Sequence, residues 1–275
     1  MNNFRIIQVL FLVVVAGLFQ SCDSNKKNWE IKGTAESESM VFLYRLYPEA
    51  SLIDSTQTNH RKFTFAGENG DERLEPFCLV FGEDQKTELI CMLRNGDHLK
   101  LQPDKQAGPS FSGTEISDDL NKYYTFKKLE KQLNADLLKE LNETPADDDG
   151  RDQKMISYRE KVQNLENEKT EFLRSIVFPG LNGYLVLKEL QHSGVVEKEV
   201  VGKYRDALTA EGALTDYGIK VHRIYEFFDA YALSREMEIL DSATISERYN
   251  KLSEENKTSA FAKIVEQYLL KLKTE

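Results

Sequence analysis

The sequence predicts an α+β protein, in which an antiparallel, jelly-roll-like β-sandwich precedes an all-α domain of helical hairpins. Two observations predict this order. Between Trp29 and Gly113, β-branched and aromatic residues occur in short runs separated by turn residues, as in β-strands. From Thr114 onward, apolar residues recur every three or four positions, the period of an amphipathic helix. We therefore expect a β-domain at residues 29–113 and an α-helical domain at residues 114–275.

Eight short strands are predicted in the first half. The clearest runs are VFLYRL, KFTFAG, PFCLVFG and ELICMLRNGDHLKLQ. Turn residues separate them, for example Gly67-Glu68-Asn69-Gly70 and Asn95-Gly96. Strands of this length and spacing are typical of antiparallel sandwiches and jelly rolls.

Two long helices are predicted next, and we expect them to form an antiparallel hairpin. Their predicted seam contains Leu129, Leu133, Leu137 and Leu141 in the first helix, and Met155, Tyr158, Val162, Leu165, Phe172 and Ile176 in the second, with Lys169 as its one polar member. Pro145 and Gly150 bracket three aspartates between the helices. These aspartates do not fit an EF-hand, which would need acids at the positions of Pro145 and Ile156, so a solvated linker is predicted.

Bulky residues also cluster in the last helical stretch. They are Tyr225, Phe227, Phe228, Tyr231 and Met237. Helical spacing of such residues favours a hydrophobic core over a cofactor site.

The N-terminus predicts a lipoprotein signal peptide at residues 1–21. Its apolar stretch, Ile6 to Phe19, is shorter than the ~17–25 residues of a membrane-spanning helix and has the length of a signal-peptide core. It ends at Leu18-Phe19-Gln20-Ser21-Cys22, which resembles a bacterial lipobox and implies that Cys22 carries the acyl chains, including palmitate. Residues 22–28 then form a polar tether. The alternatives are an ordinary secretory signal with a chance cysteine, or a plain membrane anchor.

The overall charge argues against nucleic acid as a partner. The chain carries 46 acidic and 36 basic residues, a net charge of −10. This net negative charge would repel a polyanion such as DNA. The sequence contains no basic stripe with interleaved aromatic residues that would offset the repulsion.

Cys78 and Cys91 are candidates for a structural disulfide. If CLVFGEDQKTELIC forms a hairpin centred on Asp84-Gln85, the two cysteines face each other across neighbouring strands. Disulfides persist in an oxidising compartment. The alternative is two small buried hydrophobic side chains, and both interpretations make these cysteines structural.

No catalytic residues, metal ligands or cofactors are predicted. His60, His98, His192 and His222 are isolated from other residues at metal-ligand spacing. GPSFSG lacks the second glycine that a nucleophile elbow requires. The cysteines are not spaced as Cys-x-x-Cys, which thiol-disulfide exchange catalysts use.

Several segments carry a resemblance to a known family. WEIKGTAESESMVFLYRL, LIDSTQTNHRKFTFAG, LICMLRNGDHLKLQ and FSGTEISDDLNKY resemble the N-terminal domain of unknown function 4369 of Bacteroidota lipoproteins. In that family a helical stretch and a thioredoxin-like thiol-disulfide oxidoreductase domain usually follow. ATISERYNKLSEENKTSAFAKIVEQYLLKL resembles the helical stretch, and we expect the thioredoxin-like domain to be absent from this chain.

The resemblance also bears on location. Some Bacteroidota lipoproteins reach the cell surface through an acidic cluster after the lipidated cysteine, whereas Asp23 here is followed by lysines. We therefore expect lipid anchoring at the periplasmic face of the outer membrane.

A non-catalytic binding or scaffolding module, with a protein partner in the cell envelope, is the expected function. An accessory of a separate thiol-disulfide oxidoreductase and an unrecognised enzyme are the alternatives.

Overall fold

A computed structural model describes residues 28–82, 87–102, 108–144, 150–192 and 198–272. The predicted signal peptide, the predicted lipid-attachment residue Cys22 and the three aspartates at 147–149 lie outside this range.

The first half consists of two four-stranded sheets. Their strands are β1 (Trp29–Thr34), β2 (Met40–Arg45), β3 (Ser51–Gln57), β4 (Lys62–Gly67), β5 (Glu75–Phe81), β6 (Thr87–Leu93), β7 (His98–Gln102) and β8 (Ser110–Ser112). The strand orders are β4-β1-β7-β8 and β3-β2-β5-β6. Alternation places Phe63 and Phe65 of β4 in the core while Lys62 and Thr64 are exposed.

Most neighbouring strands are antiparallel, but β1 and β7 are parallel, with Ile31 opposite Leu99. The prediction of purely antiparallel sheets is therefore wrong at this pair. The reason is the connection between these strands. All strands of the second sheet lie between β1 and β7 in the sequence, so no hairpin joins β1 to β7 and requires them to be antiparallel.

The second half is helical, so the α+β class is correct. Its helices are α1 (Ser117–Asn142), α2 (Gly150–Ser175), α3 (Pro179–His192), α4 (Lys198–Arg205), α5 (Asp216–Glu236), α6 (Ser242–Asn250), α7 (Glu254–Lys257) and α8 (Ala260–Leu272), with a 3-10 turn at Gly212–Leu214. Within the part of the chain described, no helix combines the length and the apolar character needed to cross a membrane.

Helices α1 and α2 pack against each other, and most of the predicted seam is present. Leu165, Lys169 and Phe172 are buried on α2. Leu129 is an error in the predicted seam, because it is exposed while Glu130 points to the partner helix and pairs with Lys169. An α-helix has 3.6 residues per turn, so leucines spaced four residues apart do not stay on one face of the helix. Leu129 therefore lies outside the contact face.

Strands and helices share one hydrophobic core. The core is continuous from Trp29 in β1 to Val221 in α5. The last strand ends at Ser112 and the first helix begins at Ser117, close to the predicted boundary between residues 113 and 114. The two halves nevertheless bury their apolar surfaces against each other.

Helix α1 also closes one edge of each sheet. The Asn121 side chain accepts the Phe111 N–H at 2.7 Å and donates to the Phe111 carbonyl at 2.9 Å, which satisfies the free side of β8. The Tyr124 hydroxyl accepts the Ile90 N–H at 2.5 Å and donates to the Ile90 carbonyl at 3.2 Å, on the free side of β6. Residues three apart lie on one helix face, so one face of α1 serves both edges.

Candidate functional site

A buried group of charges, here called the ionic cluster, joins helices α1, α2 and α3. Its members are Lys127, Glu130, Glu166, Lys169 and Glu189. The Lys169 ammonium lies 2.5 Å from Glu130, 2.6 Å from Glu166 and 2.6 Å from Glu189. Lys169 is 1% exposed and Glu189 is 2% exposed.

Each buried charge is held in its ionised form by its neighbours. Burial alone would lower the pKa of Lys169, but attraction to Glu189 and hydrogen bonds to Glu130 and Glu166 raise it above its ordinary value. Burial alone would raise the pKa of Glu189, but Lys169 and Lys127 outweigh it and lower that pKa.

The hydrogen-bonding capacity of Lys169 is fully used inside the ionic cluster. An ammonium has three donors, and Lys169 meets three carboxylates. Tyr123 donates to Glu189 at 2.6 Å, and Tyr204 of α4 donates to Glu166 at 2.9 Å. The ionic cluster therefore links helices α1, α2 and α3, and the Tyr204 bond to Glu166 adds α4 to them.

A groove lies between α4 and α5, and its volume is about 770 Å³. This falls within the ~300–1,000 Å³ of small-molecule and peptide-side-chain sites. Its walls are formed by Lys198, Glu199, Gly202, Lys203, Arg205 and Asp206 on one side, and by Tyr225, Phe228, Tyr231, Ala232, Glu236 and Arg248 on the other.

Gly202 of α4 lies next to the Tyr225 ring of α5. A Cβ atom on Gly202 would lie 3.5 Å from this ring, which is an ordinary van der Waals contact. The Arg205 guanidinium stands over the same ring at 3.9 Å from its centre. This cation–π contact holds Tyr225 in place at the groove wall.

Asp229 of α5 pairs with two of the cations that line the groove. This carboxylate bonds Lys198 and, at 2.9 Å, Arg248, which also reaches Glu236 at 2.8 Å. Burial alone would raise the pKa of Asp229, but hydrogen bonds from Lys198 and Arg248 lower it. Lys198, Arg248 and Glu236 of the groove lining are therefore paired, and the aromatic side chains remain available for contact.

Aromatic side chains of α5 and α8 form a partly exposed surface beside the groove, here called the aromatic patch: Phe227, Phe228 and Tyr231 of α5, and Phe261 of α8. Ring centres of Phe227 and Tyr231 lie 5.6 Å and 4.9 Å from that of Phe261 in α8. Phe227 is 40% exposed and Tyr231 is 36% exposed.

The prediction that the bulky residues of α5 are core residues is wrong for Phe227 and Tyr231. Their spacing indicated an aromatic helix face, but α8 covers that face only in part. Helical spacing alone does not show how far a neighbouring helix extends over a face.

The predicted pairing of Cys78 with Cys91 is also wrong. Cys78 stands opposite Ile90 and Cys91 opposite Phe77, one residue from the predicted register. Successive side chains point to opposite faces of a sheet, so the two thiols do not face each other. Both cysteines are free and buried.

Burial also determines the reactivity of these thiols. It raises the pKa of Cys78 to about 12, and it raises the pKa of Cys91 above its ordinary value as well.

Sequence reasoning missed Glu130 and Glu189 as partners of Lys169. Lys169 itself was visible as the single polar residue of an apolar seam, and Glu189 as a lone acid in the apolar run of α3. Such residues signal a buried ion pair, but they do not identify the partner. Over the described ranges, no three His, Cys, Asp or Glu residues are grouped so as to hold a metal ion.

The sequence matches no protein-family model, and comparison with curated proteins shows no relative.

Proposed function

We propose that this protein is a lipid-anchored, non-catalytic binding module that holds a protein partner of the cell envelope in the groove between α4 and α5. The observation that carries the proposal is the aromatic side chains exposed at and beside a groove in which most of the lining charges are already paired. Interfaces are enriched in Tyr, Phe and Arg, and a few such residues supply most of the binding energy.

The construction of the groove suits recognition of a partner by a preformed surface. Tyr204 ties α4 to the ionic cluster, Arg205 holds the Tyr225 ring, and Arg248 ties α6 to α5 through Asp229. A wall that is ordered before binding loses less conformational entropy when the partner arrives.

The proposal includes the N-terminal features. Acylation of Cys22, after removal of residues 1–21, would tether the groove to the periplasmic face of the outer membrane. Anchoring of this kind requires more than one acyl chain, since each buried CH₂ contributes about 0.8 kcal/mol.

The proposal also includes a finer description of the β-half as a jelly-roll-like β-sandwich. Ring contacts join the two sheets: Trp29 with Phe77 at 5.0 Å, and Phe63 with Phe81 at 5.7 Å. Contacts between inner faces are what a sandwich core requires.

Site-specific cross-linking tests the binding function. A photoreactive phenylalanine analogue replaces Tyr231 in the groove wall, and in a matched variant it replaces Leu138 of α1, which is 63% exposed and lies outside the groove. After irradiation of cells, we expect a discrete higher-mass adduct from position 231 and none from position 138. Equal adducts at both positions, or none at position 231, would contradict the proposal.

A further inference from the structure

The outer edge of strand β3 is open within the described ranges. β3 is the end strand of its sheet, and its ladder partner there is β2 alone. The edges of β6 and β8 are closed by Tyr124 and Asn121. An open edge presents backbone N–H and C=O groups to any extended chain that approaches.

The direction of these backbone groups follows from the ladder. Thr58 donates its N–H to the Ser39 carbonyl. Thr58 and Ser39 therefore occupy a hydrogen-bonded position of the antiparallel ladder. Bonded and non-bonded pairs alternate in an antiparallel ladder, which turns the backbone groups of Gln57 and Ser55 away from β2. The Ser55 N–H is in fact bound by the neighbouring Asp54 carboxylate at 2.7 Å.

The side chains of β3 fit a partner strand. Leu52 is 53% exposed and Ile53 is 41% exposed. The ladder shifts by one residue here and leaves Ile53 without an opposite residue on β2. The strand contains no proline or lysine, which commonly protect sheet edges.

We propose that the β3 edge binds an extended segment of another polypeptide, in which a lysine or arginine lies opposite Asp54 and apolar residues contact Leu52 and Ile53. Charge complementarity selects this partner: Asp54 is exposed and the chain carries a net charge of −10. A lysine or arginine of the partner would draw the Asp54 carboxylate away from the Ser55 N–H and so release this N–H to the incoming strand. A second copy paired antiparallel about Asp54 would set two carboxylates opposite each other, which is destabilising.

This surface is distinct from the groove, because none of the groove-lining residues belongs to a strand. The two proposals can therefore fail separately.

Binding of a defined peptide tests the inference. The probe is a fluorescent peptide with the sequence Thr-Val-Thr-Val-Lys-Val-Thr-Val-Thr, titrated against the folded protein and followed by anisotropy. Two derivatives carry N-methyl groups on alternate backbone amides, one derivative on the odd-numbered positions and the other on the even-numbered positions. Addition of a strand uses the amides of one set only. We expect one derivative to lose binding and the other to retain it.

Protein variants provide the second arm. Ser55→Pro removes an N–H that points away from β2, a position where an edge strand tolerates proline, and should abolish peptide binding. Ser55→Ala is the matched control and should bind as the wild type does. Asp54→Asn should weaken binding of the lysine peptide about two- to fivefold, as expected for a lost cross-strand ion pair.

Four results would overturn the inference. Three concern the peptide: no detectable binding of the unmodified peptide, equal binding of both N-methylated derivatives, and binding unchanged in Ser55→Pro. The fourth is sedimentation of the protein as a dimer that Ser55→Pro converts to a monomer, which would show that a second copy occupies the edge.

Discussion

The Lys169 ammonium lies 2.6 Å from a carboxylate oxygen of Glu189, and both side chains are almost fully buried. Burial of an ion pair is costly, so such a pair stabilises a fold only when its remaining hydrogen bonds are satisfied. Here Glu130, Glu166, Lys127 and Tyr123 supply those bonds. The position of α4, and with it one wall of the groove, depends on this arrangement.

Removal of one charge from the ionic cluster should be strongly destabilising. Lys169→Met leaves three carboxylates around a buried space and should lower the free energy of unfolding by about 3–5 kcal/mol. Urea denaturation measures this change. Lys251→Met, which breaks the exposed helical pair with Glu247, is the control and should change stability little. The double variant Lys169→Met, Glu189→Leu should lose less than the sum of its single variants. Additive losses would show that the two residues are not coupled.

The stability contributed by Glu189 should depend on pH in a defined direction. Its pKa is lowered in the folded state, so its contribution is present above the unfolded carboxyl pKa of about 4.3 and is lost as the pH falls through the lower folded value. The pKa of Lys169 is raised, so its contribution is present below about pH 10 and is lost as the pH rises further.

The variant Glu189→Gln should therefore be less stable than the wild type at neutral pH. The difference between the two free energies of unfolding should narrow only below about pH 4, where the Glu189 carboxyl of the unfolded wild-type chain binds a proton and that of the folded protein, with its lowered pKa, does not yet. Urea titrations across this range provide the measurement. If the difference in free energy of unfolding between the wild type and Glu189→Gln did not change with pH, it would contradict the conclusion that Glu189 is ionised in the folded protein.

Closure of the sheet edges by α1 should be visible in hydrogen exchange. Asn121→Ala removes the acceptor of the Phe111 N–H, and Tyr124→Phe removes the acceptor of the Ile90 N–H. Each variant should accelerate exchange at its own amide and leave the other amide unchanged. Lys128→Ala, an exposed position on the same helix, should accelerate neither. Acceleration of both amides by either variant would indicate loosening of the whole helix instead.

Cys78 and Cys91 should be present as free, slowly reacting thiols. Burial and their raised pKa values keep the reactive thiolate scarce. Alkylation of the folded, unreduced protein should be slow, and alkylation after unfolding without reductant should modify both residues, as read by mass spectrometry. Recovery of a Cys78–Cys91 bridge would mean that the β5–β6 register differs from the one described.

The proposed lipid anchor can be tested at Cys22. Cys22→Ser should abolish incorporation of a labelled fatty acid and leave the signal peptide uncleaved, because acylation requires the thiol. Labelling in cells followed by mass determination provides the measurement. Label retained in the variant would refute lipid attachment at this residue.

The periodicity of the sequence by itself determined the order of strands and helices, the α1–α2 hairpin and most of its seam, because these depend on local alternation and helical spacing. The high thiol pKa values could also be predicted, since they require only an apolar environment. The parallel pairing of β1 with β7, the β5–β6 register and the partners of Lys169 were decided by tertiary structure. Each depends on contacts between residues distant in the chain, and a shift of one residue in a strand exchanges its two faces. The exposure of the aromatic patch was likewise decided by tertiary structure, because the exposure of Phe227 and Tyr231 depends on how much of α5 is covered by α8.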